Sequence, residues 1–430
     1  MSWLDRFELQ KNNTTLSKEF IAGFTTFIAM LYIIPVNATI LSATGMPFGA
    51  LVTATTLMSI IATFITGWWA NTPIAMSVGM GLNAYFSFGL VLGMKIPWQS
   101  ALGVVFVSGI LYLLISLSPL RKWIIETIPL DIKRATSAGI GAFIALIGLK
   151  EMGVIVASKS TLVTLGDLSQ THVLFGLFGL LSAFVFATLK LRGALILSIA
   201  LTTIVAWASG VASLPKEIVD TPASIVPIAM QMDISSVLTL AMIPAIVTFL
   251  VTDIFDTIGT LIGVGLKADL FKDSDSTKLQ KTMQSDALAT VMSGMMGVTS
   301  TTAFIESATG VEEGGRTGLT SVFTALFFVL PLFFLPLFEA IPSFAIYPVL
   351  VVVGTYMFSE LGKIDYSNNA IKYATFFIVV MMPLTYSITN GLMFGAFIYV
   401  FVSLVEKRFE VLKSSMTLMA IISLILFFAL

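Results

Sequence analysis

The feature that most limits what this chain can fold into is a succession of apolar runs, each about as long as a membrane is thick. A spanning helix needs about 20 apolar residues. Runs of that kind, divided by polar breaks, lie near 20–42, 48–69, 73–93, 99–118, 135–150, 172–189, 194–210, 237–262, 284–298, 300–311, 317–338, 343–358, 370–388 and 390–406. A last apolar stretch, 415–430, is short and reads as interfacial or as a further crossing. Only 11% of the 430 residues are charged and 57% are hydrophobic, with a mean hydropathy of +0.98. So few charges could not cover the surface of a soluble protein this large. The expectation is an all-α polytopic membrane protein with about 14 transmembrane segments, solvated by lipid.

The same composition excludes several functions. A net charge of −1 provides no basic field to hold nucleic acid. There is no cysteine and one histidine, His172. A disulfide framework, a thiolate or histidine metal site and a cysteine nucleophile are therefore not expected, and no cofactor is. His172 follows polar Gln170–Thr171 and precedes an apolar run, so it reads as a helix-start residue. The extramembrane stretches of any length, 211–236 and 267–283, are too short to fold as catalytic domains, and the second reads as a solvated linker helix. An enzyme is not expected. No GxxxxGK[ST] phosphate loop occurs, which leaves an ion gradient as the energy source for any transport.

Basic residues give the orientation. With the N-terminus inside and the fourteen runs alternating, the inside segments hold all of the 23 Lys and Arg except Lys95, Lys150, Lys159 and Lys216. That bias places the N-terminus in the cytoplasm and supports the count, because one span more or fewer midway would scramble the alternation.

Fourteen runs divide as seven plus seven, and an odd number per half inverts the second half relative to the first. The two irregular runs, 73–93 and 300–311, fall third in each half. The first reads PIAMSVGMGLNAYFSFGLVLG and the second lies in TSTTAFIESATGVEEGG. Both are expected to be an extended stretch followed by a half-helix. Such backbone survives inside a membrane only where protein buries it or where it lines a cavity. Short, Gly- or Pro-interrupted segments at matching places in inverted halves point to a transporter binding site. Glycines alone could serve close helix packing, but packing does not explain Asn83, or Thr301, Thr302, Glu306 and Ser307 together.

Three acids stand inside apolar runs: Asp253, Asp256 and Glu306. The others are read as lying in loops or at span ends. A charge in the membrane costs at least about 2.5–3.5 kcal/mol and usually faces a cavity or serves function. Asp253 and Asp256 share a helix face, with no Lys or Arg within a turn. Embedded acids without a dedicated cation suit proton uptake and release. Asp253 is equally explained as a hydrogen-bond acceptor for neighbouring backbone. Glu312, Glu313 and Arg316 are expected at the cytoplasmic mouth, where a local salt bridge accounts for them.

The runs FTTFIAMLYIIPVNATIL, GMGLNAYF, DIFDTIGTLIGVG and TTAFIESATGVEEGGRTGLTS resemble the AzgA-like purine permeases of the nucleobase–ascorbate transporter superfamily. The resemblance covers about residues 1–412. It implies a core domain (18–118 and 237–338) and a gate domain (119–236 and 339–412), followed by the short apolar segment 413–430. It also implies a homodimer in the bacterial inner membrane, elevator-like motion, and proton symport of hypoxanthine, guanine or adenine. The family's eighth-segment acid falls on Asp256, its tenth-segment acid on Glu306 and its third-segment amide on Asn83. Ser307, Phe304 and Thr260 join them as substrate contacts, the backbone near Phe304–Ser307 as a source of donors, and Glu306, Asp256 and Asp253 as proton-coupling residues. Uracil and xanthine permeases of the superfamily carry Glu, and often His a turn later, where this chain has Asp256 and Thr260. The shorter acid leaves room for a two-ring base and puts uracil in doubt. The rivals are an anion carrier of the same architecture, against which the embedded acids argue, and an ion channel, against which the asymmetric motifs argue.

Overall fold

The computed structural model describes residues 3–268, 270–271 and 277–429. The polar connection 267–283 is therefore seen only at its ends, and its residues 269 and 272–276 lie outside the described residues, as does Leu430 of the last apolar stretch.

Every apolar run yields helix. Among the described residues, eight helices are long and apolar enough to cross a membrane, among them Phe48–Ala70, Trp98–Leu117, Leu130–Glu151 and Ile388–Val405; Ala194–Ala208 and Asn369–Leu384 are shorter. Large side chains such as Phe20, Phe24, Leu174, Leu181, Phe376 and Phe401 stand exposed along these helices, as lipid-facing positions must. Helix Thr171–Thr188 starts beside His172, as its flanking residues predict. The linker helix expected over 267–283 falls partly outside the described residues; at its ends, one helix runs to Ala268 and the next starts at Thr277, with Met283 already buried in it.

The first run is two helices, Leu16–Met30 and Ile33–Ser42, with a turn at Leu31–Tyr32 between them. Pro35 accounts for the break. It has no N–H to donate to the Leu31 carbonyl, and its ring crowds that carbonyl; the backbone instead closes with Ile34 N–H to Leu31 O (3.4 Å) and Val36 N–H to Tyr32 O (3.2 Å).

Both irregular runs are broken where their sequences predict. In the first, strand Met76–Val78 leads through Gly79 into helix Met80–Ala84 and a π-helical stretch, Tyr85–Val91. In the second, strand Thr301–Ala303 leads into helix Ser307–Glu312. The strands pair with each other, antiparallel, with Met76 opposite Ala303 and Val78 opposite Thr301. That pairing satisfies backbone groups that lipid could not. A second hairpin, Ile155–Ser158 with Leu162–Leu165, fills the connection between the fifth and sixth runs. In the otherwise helical fold this connection is too polar to span, and its β-branched residues form an exposed ribbon.

The helices pack in two groups. One joins the first four runs to the eighth through eleventh: Leu16–Met30 lies against Gly318–Phe327, and Trp98–Leu117 against Thr277–Met296. The other joins the fifth through seventh to the twelfth through fourteenth: Ser343–Phe358 lies against Leu130–Glu151 and Thr171–Thr188, and Asn369–Leu384 against Ile388–Val405. In the second group, Gly141 and Gly354 face each other so closely that a Cβ on either would sit 2.6 Å from the other's carbonyl oxygen.

Candidate substrate site

The groups meet around a cavity of about 420 Å³. Its first-group wall comes from the eighth run (Asp256, Thr260), from Met80–Gly81, and from Thr302–Glu306 on the second broken run. Its second-group wall comes from Thr136, Ser137, Ile140, Val353, Tyr356 and Met357. Lys133, Arg134, Glu360 and Lys363 stand at one end. Arg134 pairs with Asp131 (3.0 Å) and Lys363 with Glu360 (2.5 Å).

Four of the sequence-predicted residues come together here: Glu306, Asp256, Phe304 and Thr260. Both carboxylates are half-buried and near enough to interact electrostatically. Glu306 Oε1 accepts from the Tyr32 hydroxyl at 2.7 Å. Asp256 is bonded to the Thr302 hydroxyl. Phe304 is almost fully buried and Ile305 exposed, and Met80, Phe255 and Ile258 add to the apolar part of this wall.

The other three stand apart from the cavity. Asn83 is fully buried, and its amide oxygen accepts from the Thr299 hydroxyl, tying the two broken runs together. Ser307 is fully buried, and its Oγ accepts from the Ala75 N–H at 3.0 Å. Asp253 lies behind the wall, with Oδ2 accepting from Thr290 at 2.9 Å and Oδ1 without a partner. The backbone donors expected at Phe304–Ser307 are largely taken: Phe304 N–H bonds to Ala75 O (3.0 Å) and Ser307 N–H to Phe304 O (3.1 Å). The strand pairing and the turn into the short helix consume them.

The sequence reading missed four side chains. Asp286 is fully buried and accepts from Thr257 at 2.5 Å and Tyr112 at 3.2 Å. It lies close enough to Asp253 for their charges to interact. Its place within the ninth apolar run was a usable signal, masked by the polar neighbours Gln284 and Ser285. Tyr32 and Tyr356 reach the cavity from opposite groups, and nothing in their local sequence marks them. Glu19 is also fully buried, accepting from Arg316 N–H and Thr320 N–H (3.0 Å each). Glu313 and Arg316, expected in a local salt bridge with Glu312, each have a further partner. Glu313 pairs with Arg192 on the connection after the sixth run, and Arg316 donates to the carbonyls of Val311 and Gly315. Among the described residues, none of Asp253, Asp256, Asp286 and Glu306 has an ion-pair partner.

The fold has a solved counterpart in the transmembrane domain of a cyanobacterial bicarbonate transporter, BicA. The two superpose with a TM-score of 0.66 over 86% of this chain and 96% of that one, at 16% identity. Sequence relatives are nearer. The guanine/hypoxanthine permease PbuO of Bacillus subtilis is 36% identical over 99% of this chain and 100% of its own length. The adenine permease AdeP of Escherichia coli is 35% identical over 97% and 94%. Residues 17–426, which include both broken runs, the eighth run and the whole cavity, match the Permease family denoted Xan_ur_permease, and this integral membrane protein belongs to that family.

Proposed function

We propose that this protein is a secondary carrier that imports purine bases, namely hypoxanthine, guanine or adenine, together with protons. The observation that carries the reading is that Glu306 and Asp256 face one cavity between two groups of helices, without an ion-pair partner among the described residues. A purine is flat, neutral and edged with N–H donors and ring acceptors. Two carboxylates accept from its N–H groups, while the Thr260 hydroxyl is a donor for a ring nitrogen or carbonyl. Ile305 and Tyr356 offer apolar faces for the rings. A cavity of about 420 Å³ suits a small heterocycle with some water. The names of the adenine and guanine/hypoxanthine permease relatives agree.

Glu306 and Asp256 carry the coupled proton in this reading, since an acid that meets both substrate and water can exchange a proton with either, and Asp253, one helix turn from Asp256, relays it behind the wall. Asn83 and Ser307 contribute by holding the broken runs in register, and Phe304 by backing the wall. The two packing groups correspond to core and gate, and an elevator-like shift of core against gate exposes the cavity alternately. The basic end of the cavity, with Lys133, Arg134 and Lys363, faces the cytoplasm under the basic-residue bias, as does the N-terminus. The fourteen-span count follows from the same bias, and the homodimer and the bacterial inner membrane from the family resemblance.

Uptake of labelled hypoxanthine into proteoliposomes tests this, with adenine, guanine, xanthine and uracil as competitors and with or without a protonophore. Purine-competed uptake that the protonophore abolishes is the expected outcome. Glu306→Gln is expected to reduce it by at least about tenfold, as loss of a charge-assisted bond would. Absence of uptake of any base by inserted protein would sink the reading and turn attention to anions.

A further inference from the structure

Glu306 has three rotatable side-chain bonds and projects into an open cavity, so something must decide where its carboxylate points. The structure supplies one strong constraint. Tyr32 is 1% exposed, stands at the break in the first membrane run, and donates its hydroxyl to Glu306 Oε1 at 2.7 Å across 274 residues of sequence. The tyrosine's own backbone is helical (φ −60°, ψ −23°), and its carbonyl accepts from the Val36 N–H at 3.2 Å. Its hydroxyl has one proton to give, and a carboxylate is the acceptor that draws it most strongly.

We propose that Tyr32 is the positioning residue for substrate recognition: its hydroxyl holds the Glu306 carboxylate in one orientation, leaving the remaining acceptor edge turned toward the N–H edge of the base. This rests on the purine-carrier reading. A carboxylate ordered before the ligand arrives avoids the side-chain entropy that ordering would otherwise cost on binding. It also presents acceptors along a fixed line, which is what distinguishes bases whose donors differ only in position. Tyr356 faces the same carboxylate from the other helix group and stands 47% exposed. Tyr32 and Glu306 both lie in the first group, where Leu16–Met30 packs on Ser307–Glu312. Their bond therefore travels intact when one group shifts past the other, as a recognition device must. Tyr356 is left behind by the same motion.

The test is Tyr32→Phe, which removes one oxygen and keeps the ring. In proteoliposomes matched for inserted protein, the KM for hypoxanthine is expected to rise about tenfold, the size of a lost hydrogen bond to a charged group. Vmax should stay within about twofold, and the preference among hypoxanthine, guanine and adenine should narrow. Hypoxanthine binding to the purified variant should weaken in parallel, which keeps the test alive if insertion is poor. Glu306→Asp withdraws the carboxylate from the phenol, so adding Tyr32→Phe to it should change KM by less than about twofold. Unchanged KM, binding and base ranking in Tyr32→Phe would overturn the proposal, as would a loss confined to Vmax or a full tenfold effect in the Glu306→Asp background. Wild-type protein that takes up no purine defeats the functional reading instead, whereas purine uptake with a silent Tyr32→Phe defeats this inference alone.

Discussion

Glu19, Asp253, Asp256, Asp286 and Glu306 lie buried or half-buried among the membrane helices, and their partners separate their roles. Glu19 has donors for both oxygens, from Arg316 and Thr320, and clamps the first helix to the turn before the eleventh. Asp253 and Asp286 sit behind the cavity wall, each with one oxygen bonded to hydroxyls and one without a partner. Asp256 and Glu306 alone reach the cavity. A carboxylate left free toward a cavity is available to a ligand, so Asp256→Ala is expected to weaken hypoxanthine binding by at least about tenfold; wild-type affinity in equilibrium binding would remove Asp256 from the site. Asp253 and Asp256 were legible because apolar residues surround them on both sides. Asp286 was not, because its polar neighbours imitate the end of a span.

The two broken runs are where local sequence said most about an element. Glycines around a half-helix and a Thr-rich stretch too polar for lipid both announce non-helical backbone, and the strands Met76–Val78 and Thr301–Ala303 occupy those places. What the local pattern could not announce is that the strands answer each other's hydrogen bonds. That pairing turns Ser307 and Asn83 inward, where each bonds to the opposite run. Asn83→Ala is therefore expected to cost about 1–2 kcal/mol of stability, seen as a lower thermal midpoint in detergent, since Thr299 loses its acceptor. A switch in base preference at wild-type stability would instead return Asn83 to the cavity wall. The hairpin at 155–165 was missed for a related reason: a short polar connection with β-branched residues forms a ribbon only because its two halves meet.

At the scale of the molecule, the two helix groups also touch outside the cavity at several places, Tyr85 and Thr248 against Thr389 among them. One is the ion pair between Arg192, on the connection after the sixth run, and Glu313, just after the second half-helix. Another is the contact of Gly193 with Ile28. If the groups shift relative to each other during transport, that edge must part. The chain has no cysteine, so an Arg192→Cys/Glu313→Cys pair can be bridged by a short cleavable bis-thiol reagent without background. Bridging is expected to stop uptake and cleavage to restore it. Full uptake in the bridged protein would mean that the groups keep their mutual position through the cycle.

The sequence by itself determined that this chain lives in lipid, where its helices lie, where two of them break, and that Asp256 and Glu306 are unusual. Those properties follow from local physics: the length and polarity of a run set its cost of insertion, and an acid pays its desolvation wherever its run lies. Tertiary structure decided which acids share a cavity, that Asn83 and Ser307 face away from it, that Asp286 joins Asp253, and that Tyr32 reaches Glu306. Each of those depends on where segments far apart in sequence come to lie, and the positions are set by close contacts such as Gly141 against Gly354 and one strand against the other. No window of sequence contains both partners of such a contact, so it becomes visible only when the segments are packed.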